Sequence, residues 1–289
     1  MTVRRLQLNR ILMLGVALLG AAAAAAGDAT ALSRQFERIQ QDVARMRPRT
    51  AGTVNTFFVG FAGYGEQRVF RSEAELARRV FTERYGASGR ALELVNDVHD
   101  RGTYALADLE NLRYALKLIA HRMDLNEDVL VLVLTSHGSP EDGIAVTNGE
   151  LLDDDLSPDD LRGALDDAGI RWRIVVGSAC YAGIFIRPLS TPTTLIMTAA
   201  DARHSSFGCA DDRELTYFGE ALLSDALPVA CSLEGAFDSA RDLIRKRETD
   251  EGEVHSNPQI YIGDEMRAKL RGLEAASAGR CAASGGGHR

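Results

Sequence analysis

Two short apolar runs end in residues that can do chemistry. The first, "LVLTSHGS" at 132–139, delivers His137 and Gly138; the second, "IVVGSACYAG" at 174–183, stops at small residues and offers Cys180. A free thiol titrates near about 8.5, so a cysteine nucleophile needs an imidazole or imidazolium close by to work near neutral pH. It also needs backbone N–H groups aimed at the oxyanion that forms when it attacks a carbonyl. Taken singly, a cysteine at a strand end reads as a small buried hydrophobe, and a single histidine reads as a surface residue. His-Gly after one buried strand and small-Ala-Cys after the next is a pattern that chance rarely produces. It points to a Cys/His site, with Cys180 as nucleophile, His137 as its partner, and the N–H groups of Gly138 and Cys180 facing the oxyanion.

The elements that must hold these residues alternate along the chain. Apolar runs at Val54 to Phe61, Ala91 to Val95, Val129 to Thr135, Ile174 to Gly177 and Thr194 to Ala199 read as buried strands. Helical stretches lie between most of them. Leu109, Leu112, Leu116 and Ile119 form one apolar face within 106–123. Ser72 with Glu75 reads as a capping box opening a helix, and Ser157, Pro158 and Asp160 open another that Gly169 closes. Strands separated by helices imply a parallel sheet covered on both faces, and sites in such sheets form beyond the carboxyl ends of the strands. If the strands before His137 and Cys180 are neighbours, joined by a right-handed crossover through the 158–168 helix, both side chains come to one edge. "VGFAGYGEQ" lacks the glycine spacing of a dinucleotide loop.

Composition limits the alternatives. The chain has 289 residues, 45% apolar and 26% charged, enough for one large core, and its net charge of −8 argues against a nucleic-acid partner. Arg4, Arg5 and Arg10 precede an apolar stretch from Ile11 to Ala26, shorter than the roughly twenty residues that span a bilayer. Residues 1–26 therefore read as a signal peptide, or an anchor if left uncleaved, and the protein as exported to a periplasm or the exterior. Residues 27–52 read as a polar leader carrying a weak helical repeat (Leu32, Phe36, Ile39, Val43), 53–274 as the folded domain, and 275–289 as a flexible small-residue tail. In an oxidising compartment Cys209 and Cys231 are candidates for a disulfide, while Cys281 lies in the tail. No metal-ligand spacing is present, and no cofactor is implied. The acidic run Asp153 to Asp160 reads as a solvated loop before a helix amino terminus.

Together these segments resemble the legumain-like cysteine peptidases, the family of asparaginyl endopeptidases and the catalytic subunit of the GPI transamidase. After "SHG", the stretch "SPEDGIAVTNGELLDDDL" resembles the small hairpin of that family, with Asn148-Gly149 as a two-residue turn. "RHSSFGCADDRELTYFGEAL" resembles its specificity segment. The resemblance spans about 53–262 and implies a three-layer α/β caspase-type fold, a mostly parallel sheet with helices on both faces, acting on peptide or protein substrates. It assigns Cys180 as nucleophile, His137 as partner and Gly138 to the oxyanion hole. Ser205 and Ser206 match a wall of the specificity pocket, Glu220 a pocket carboxylate and Arg68 a pocket arginine. Ser178 stands where the family has Glu before Ala-Cys, and Ser136 where Asp or Asn often precedes the histidine, so the preference for Asn is left open. Three other outcomes stay open: ligation or transamidation through the same thioester, a non-catalytic binding module on this fold, and a doubly wound ligand-binding domain.

Overall fold

The computed structural model describes residues 33–100, 102–210 and 212–273. The signal-peptide segment, the tail and Cys281 lie outside them.

Apolar, β-branched runs build the centre. Strands β1 (Thr56–Ala62), β2 (Ala91–Val95), β3 (Val129–Thr135), β7 (Trp172–Ser178), β8 (Thr194–Thr198) and β9 (Gln259–Ile262) form one sheet in the order β2-β1-β3-β7-β8-β9. Only the β8–β9 pair is antiparallel. Every residue of β1 and β3 is buried, as expected of strands covered on both faces. A small antiparallel sheet of β4 (Gly138–Ser139), β5 (Gly143–Thr147) and β6 (Asp153–Leu156) rises beyond the carboxyl end of β3.

Helices complete the outer layers. On one face lie α1 (33–45), α3 (Leu109–Ala120), α4 (Pro158–Asp167) and the short α5 (Ile186–Leu189), burying Ile39, Leu112, Leu116, Leu161, Leu165 and Leu189. The other face carries α2 (Arg68–Arg84), α6 (Tyr217–Gly219) running into a π-helical turn at Glu220–Ala226, α7 (Leu233–Glu251) and α8 (264–273). The result is the three-layer α/β fold expected of a caspase-type protein.

Three local expectations change. Ser72 and Glu75 do not open α2: the helix begins four residues earlier at Arg68, because Val69 and Phe70 belong to its buried stripe. Glu75 instead accepts from Arg71 (2.9 Å) and the Tyr104 hydroxyl (2.8 Å). The hairpin is present, but its last paired residues are Thr147 and Asp153, so five residues rather than Asn-Gly make the connection. Gly149 alone takes positive φ (61°), whereas a type I′ turn needs it at both central residues. Finally, the leader's helical repeat does form a helix, but not one standing ahead of the domain: Ile39 and Val43 of α1, with Met46 just beyond it, are buried in the main core.

Ser157 caps α4 as its sequence suggests, accepting from the Asp160 N–H, with Pro158 in the first turn and Gly169 at φ 68° just beyond the end.

Candidate active site

The site starts from the pairing of β3 with β7. Thr135 lies opposite Ser178, and the Ser136 N–H extends the ladder by donating to Ser178 O at 3.2 Å. Just beyond this rung the chain leaving β3 reaches His137 and the chain leaving β7 reaches Cys180, at the same edge of the sheet. Gly138 confirms how closely the two turns approach: a Cβ there would sit 2.2 Å from Cys180 O. Only glycine fits at this contact.

His137 is held from three sides. Its Nε2 lies 2.7 Å from Gln67 Oε1, and the rings of Tyr64 and Phe70 meet it edge-on at 4.6 and 5.0 Å. A carboxamide oxygen only accepts, so in this contact Nε2 is the donor. Gln67 immediately precedes α2 and makes no side-chain cap to that helix. The hairpin is fixed over the same corner, with Thr147 N–H donating to Gly63 O (2.8 Å) and the Glu66 carboxylate accepting from Thr147 Oγ1 and Gly149 N–H, both at 2.7 Å.

Cys180 sits on a tight turn. Tyr181, next in the chain, takes φ 57° and ψ 14°, an uncommon conformation for a non-glycine residue, and its N–H donates to His204 O at 3.0 Å. That bond draws in the loop after β8, whose Ser205 Oγ lies 3.0 Å and Ser206 O 3.5 Å from the Cys180 sulfur. His204 itself is clamped through Nδ1 by Asp201 at 2.8 Å. The Cys209 thiol hydrogen-bonds the Cys180 sulfur and is the largest influence on it; burial opposes ionisation, and the Ser205 and Ser206 groups favour it. The net effect holds the Cys180 thiol well below its ordinary value, while the same contact pushes the Cys209 thiol up. Cys209 is therefore a neighbour of Cys180 and forms no disulfide with Cys231, which lies exposed ahead of α7.

The remaining residues separate. Ser178 is buried at the end of β7, with Oγ 3.2 Å from Thr216 Oγ1. Glu220 points to the flank, where Arg213 (2.7 Å) and Arg247 (2.6 Å) take up its carboxylate. Arg68 is exposed at the first position of α2, next to Gln67. Sequence reasoning overlooked Gln67, the Cys209 contact and a fully buried Glu73 on α2. For Cys209 alone a signal was present, in the segment that resembles the family's specificity loop. Among the described residues no cluster of three metal-binding side chains occurs and no helix is long and apolar enough to cross a membrane.

A family model described as the peptidase C13 family matches residues 115–269, more than half of the chain and inclusive of His137, Gly138, Ser178, Cys180, Ser205, Ser206 and Glu220. The chain belongs to the peptidase C13 family. It is a legumain-like cysteine peptidase on the caspase-type fold. Among solved structures, caspase-1 from Spodoptera frugiperda is similar at 12% identity with a TM-score of 0.50, over 76% of this chain and 94% of that one, a likeness of fold. No curated protein matches the sequence. The match to the C13 family begins inside α3, so β1, α2 and β2, with Arg68, Gln67 and Glu73, fall outside it.

Proposed function

We propose that the protein is an exported cysteine endopeptidase that cleaves peptide bonds through a Cys180/His137 dyad and a thioester intermediate. The observation that carries this reading is the Cys180 thiol, inclined to ionise, two residues beyond β7, the strand paired in register with β3, which leads into His137. The Cys180 thiolate attacks the scissile carbonyl carbon, forming a C–S bond and an oxyanion toward the N–H groups of Gly138 and Cys180. As the C–N bond breaks, imidazolium His137 gives its Nδ1 proton to the leaving amine. Water then adds with His137 as base, and the C–S bond breaks to return the thiolate and release the acid. An amine in place of water would give ligation by the same route. Ser205 and Ser206, already beside the sulfur, border the substrate side chain.

A library of quenched peptides with cleavage positions read by mass spectrometry tests the reaction. Hydrolysis after one class of side chain, lost in Cys180→Ala and reduced by about 10²-fold or more in His137→Ala, is the expected result. Equal hydrolysis by Cys180→Ala overturns it. Export rests on residues 1–26 and is checked by the amino-terminal sequence of the protein recovered outside the cytoplasm; a start near residue 27 is expected.

A further inference from the structure

Two thiols meet at the carboxyl edge of the sheet, and peptide cleavage uses only one of them. β7 and β8 run parallel, with Gly177 opposite Thr198, so the chains leaving them carry Cys180 and the 200–209 loop out at one edge. The loop is anchored on either side of the serines that face the sulfur: His204 O accepts from the Tyr181 N–H and Phe207 O from the Tyr217 N–H, both at 3.0 Å. Gly208 takes φ 91° against the Tyr217 ring, where a Cβ would lie 2.5 Å from a ring carbon. Cys209 follows at once, packed against the apolar cluster that includes Phe70, whose ring also meets His137. Both thiols are free, and that of Cys209 hydrogen-bonds the Cys180 sulfur. Such contact is what a disulfide requires, since cysteines held apart are joined only by moving backbone.

The two sulfurs differ in reactivity, and the difference sets an order. Cys180 is inclined to be the thiolate, the form that oxidants attack. Cys209 is held protonated chiefly by the hydrogen bond it gives to Cys180, then by burial, then by the charge on Cys180. Once the Cys180 sulfur carries oxygen in place of negative charge, both of its own influences on that proton vanish. The second thiol becomes able to react only after the first has been oxidised.

We propose that Cys180 and Cys209 form a reversible disulfide site, with Cys209 as the resolving thiol, closed by peroxide and reopened by a thiol reductant. The Cys180 thiolate attacks one oxygen of hydrogen peroxide; an S–O bond forms, the O–O bond breaks, and the departing hydroxide takes up a proton to become water. Cys209 gives its proton to solvent and attacks the sulfenic sulfur; the S–S bond forms, the S–O bond breaks, and a second hydroxide leaves as water. Sulfur is oxidised and peroxide reduced: two thiols and one peroxide give one disulfide and two waters. The bond occupies the sulfur that must attack a carbonyl, and it spares Cys180 the sulfinic acid that no thiol reductant reverses. The loss of activity rests on the peptidase reading above; the bond itself does not.

The test treats the reduced protein with hydrogen peroxide, blocks remaining thiols by alkylation, and maps an unreduced digest by mass spectrometry. A peptide joining Cys180 to Cys209, two hydrogens lighter than the free pair, is expected. Peptide hydrolysis should fall in proportion to the joined fraction and return on reduction with dithiothreitol. Cys231→Ser should give the same joined peptide. In Cys209→Ser the product on Cys180 should become the sulfinic or sulfonic acid, and reduction should no longer restore hydrolysis; the identity of the product is read because this variant also changes how fast Cys180 reacts. The wild-type digest needs no variant to fold. Cys180 joined instead to Cys231 or Cys281, sulfinic acid on wild-type Cys180 with no joined peptide, or equal recovery in Cys209→Ser overturns the inference. Hydrolysis that depends on Cys180 without the joined peptide sinks this inference alone; the joined peptide in a protein that hydrolyses nothing even when reduced supports the bond and sinks the peptidase reading.

Discussion

At the scale of single residues, the thiol of Cys180 is tuned by neighbours that arrive from different parts of the chain. Cys209 contributes most, so Cys209→Ala should raise the apparent pKa for iodoacetamide alkylation of Cys180 by about one unit or more. In the wild type the alkylation rate, read by mass against pH, should stay high well below the ordinary thiol value, because a lowered pKa keeps the thiolate present as pH falls. An unchanged profile in Cys209→Ala would remove the sulfur contact from the account. Gly138→Ala is the companion prediction: its methyl would meet Cys180 O at 2.2 Å, and a displacement of about 1 Å at a reacting group costs on the order of 10²-fold in rate. Peptide hydrolysis should fall by that order while the fold, followed by circular dichroism, persists.

Between residue and fold stand the elements, and here the sequence was legible in proportion to how local the cause was. β2 and β3 have the bounds their apolar runs suggest, and α4 shows its own cap, because strand burial and capping are written in adjacent residues. The start of α2 was hidden since Ser72 and Glu75 imitate a cap, while the true start is set by burial of Val69 and Phe70 against distant parts of the fold. Glu73 was invisible for the same reason: a glutamate in a charged helix reads as solvent-facing until tertiary packing places it under Thr216. The Asn-Gly turn gave way to a longer loop that Glu66, brought from the β1 end, fastens through Thr147 and Gly149. Two glycines test this picture by contrast. Gly219→Ala, forced against Glu73, should cost about 1–3 kcal/mol. Gly163→Ala, in α4 with nothing within 4 Å of the added carbon, should gain about 0.5–1 kcal/mol. Denaturant midpoints decide both; equal effects would show that the close contact at 219 does not constrain the helix.

For the molecule as a whole, the order of the sheet is what makes the site. Pairing β3 with β7 brings together turns that are far apart in sequence, and the Cys/His pattern was readable beforehand because each partner follows its own buried strand. The closing antiparallel strand β9, by contrast, has only half-buried and exposed residues and left no apolar run to read. α1 is part of this assembly. Removing residues 33–46 strips Ile39, Val43 and Met46 from the core, at about 1.5–3 kcal/mol for each buried side chain, against a total stability of about 5–15 kcal/mol. A chain starting at residue 50 should melt at a markedly lower temperature than one starting at residue 27, or fail to fold; equal melting curves would make α1 dispensable. The most direct measurement of the central claim is covalent labelling of the protein with a peptidyl electrophile, read by intact mass beside Cys180→Ala and His137→Ala. One adduct per chain, absent from Cys180→Ala and formed far more slowly by His137→Ala, is the predicted result; labelling of Cys180 no faster than a free thiol in solution, indifferent to His137, would contradict it.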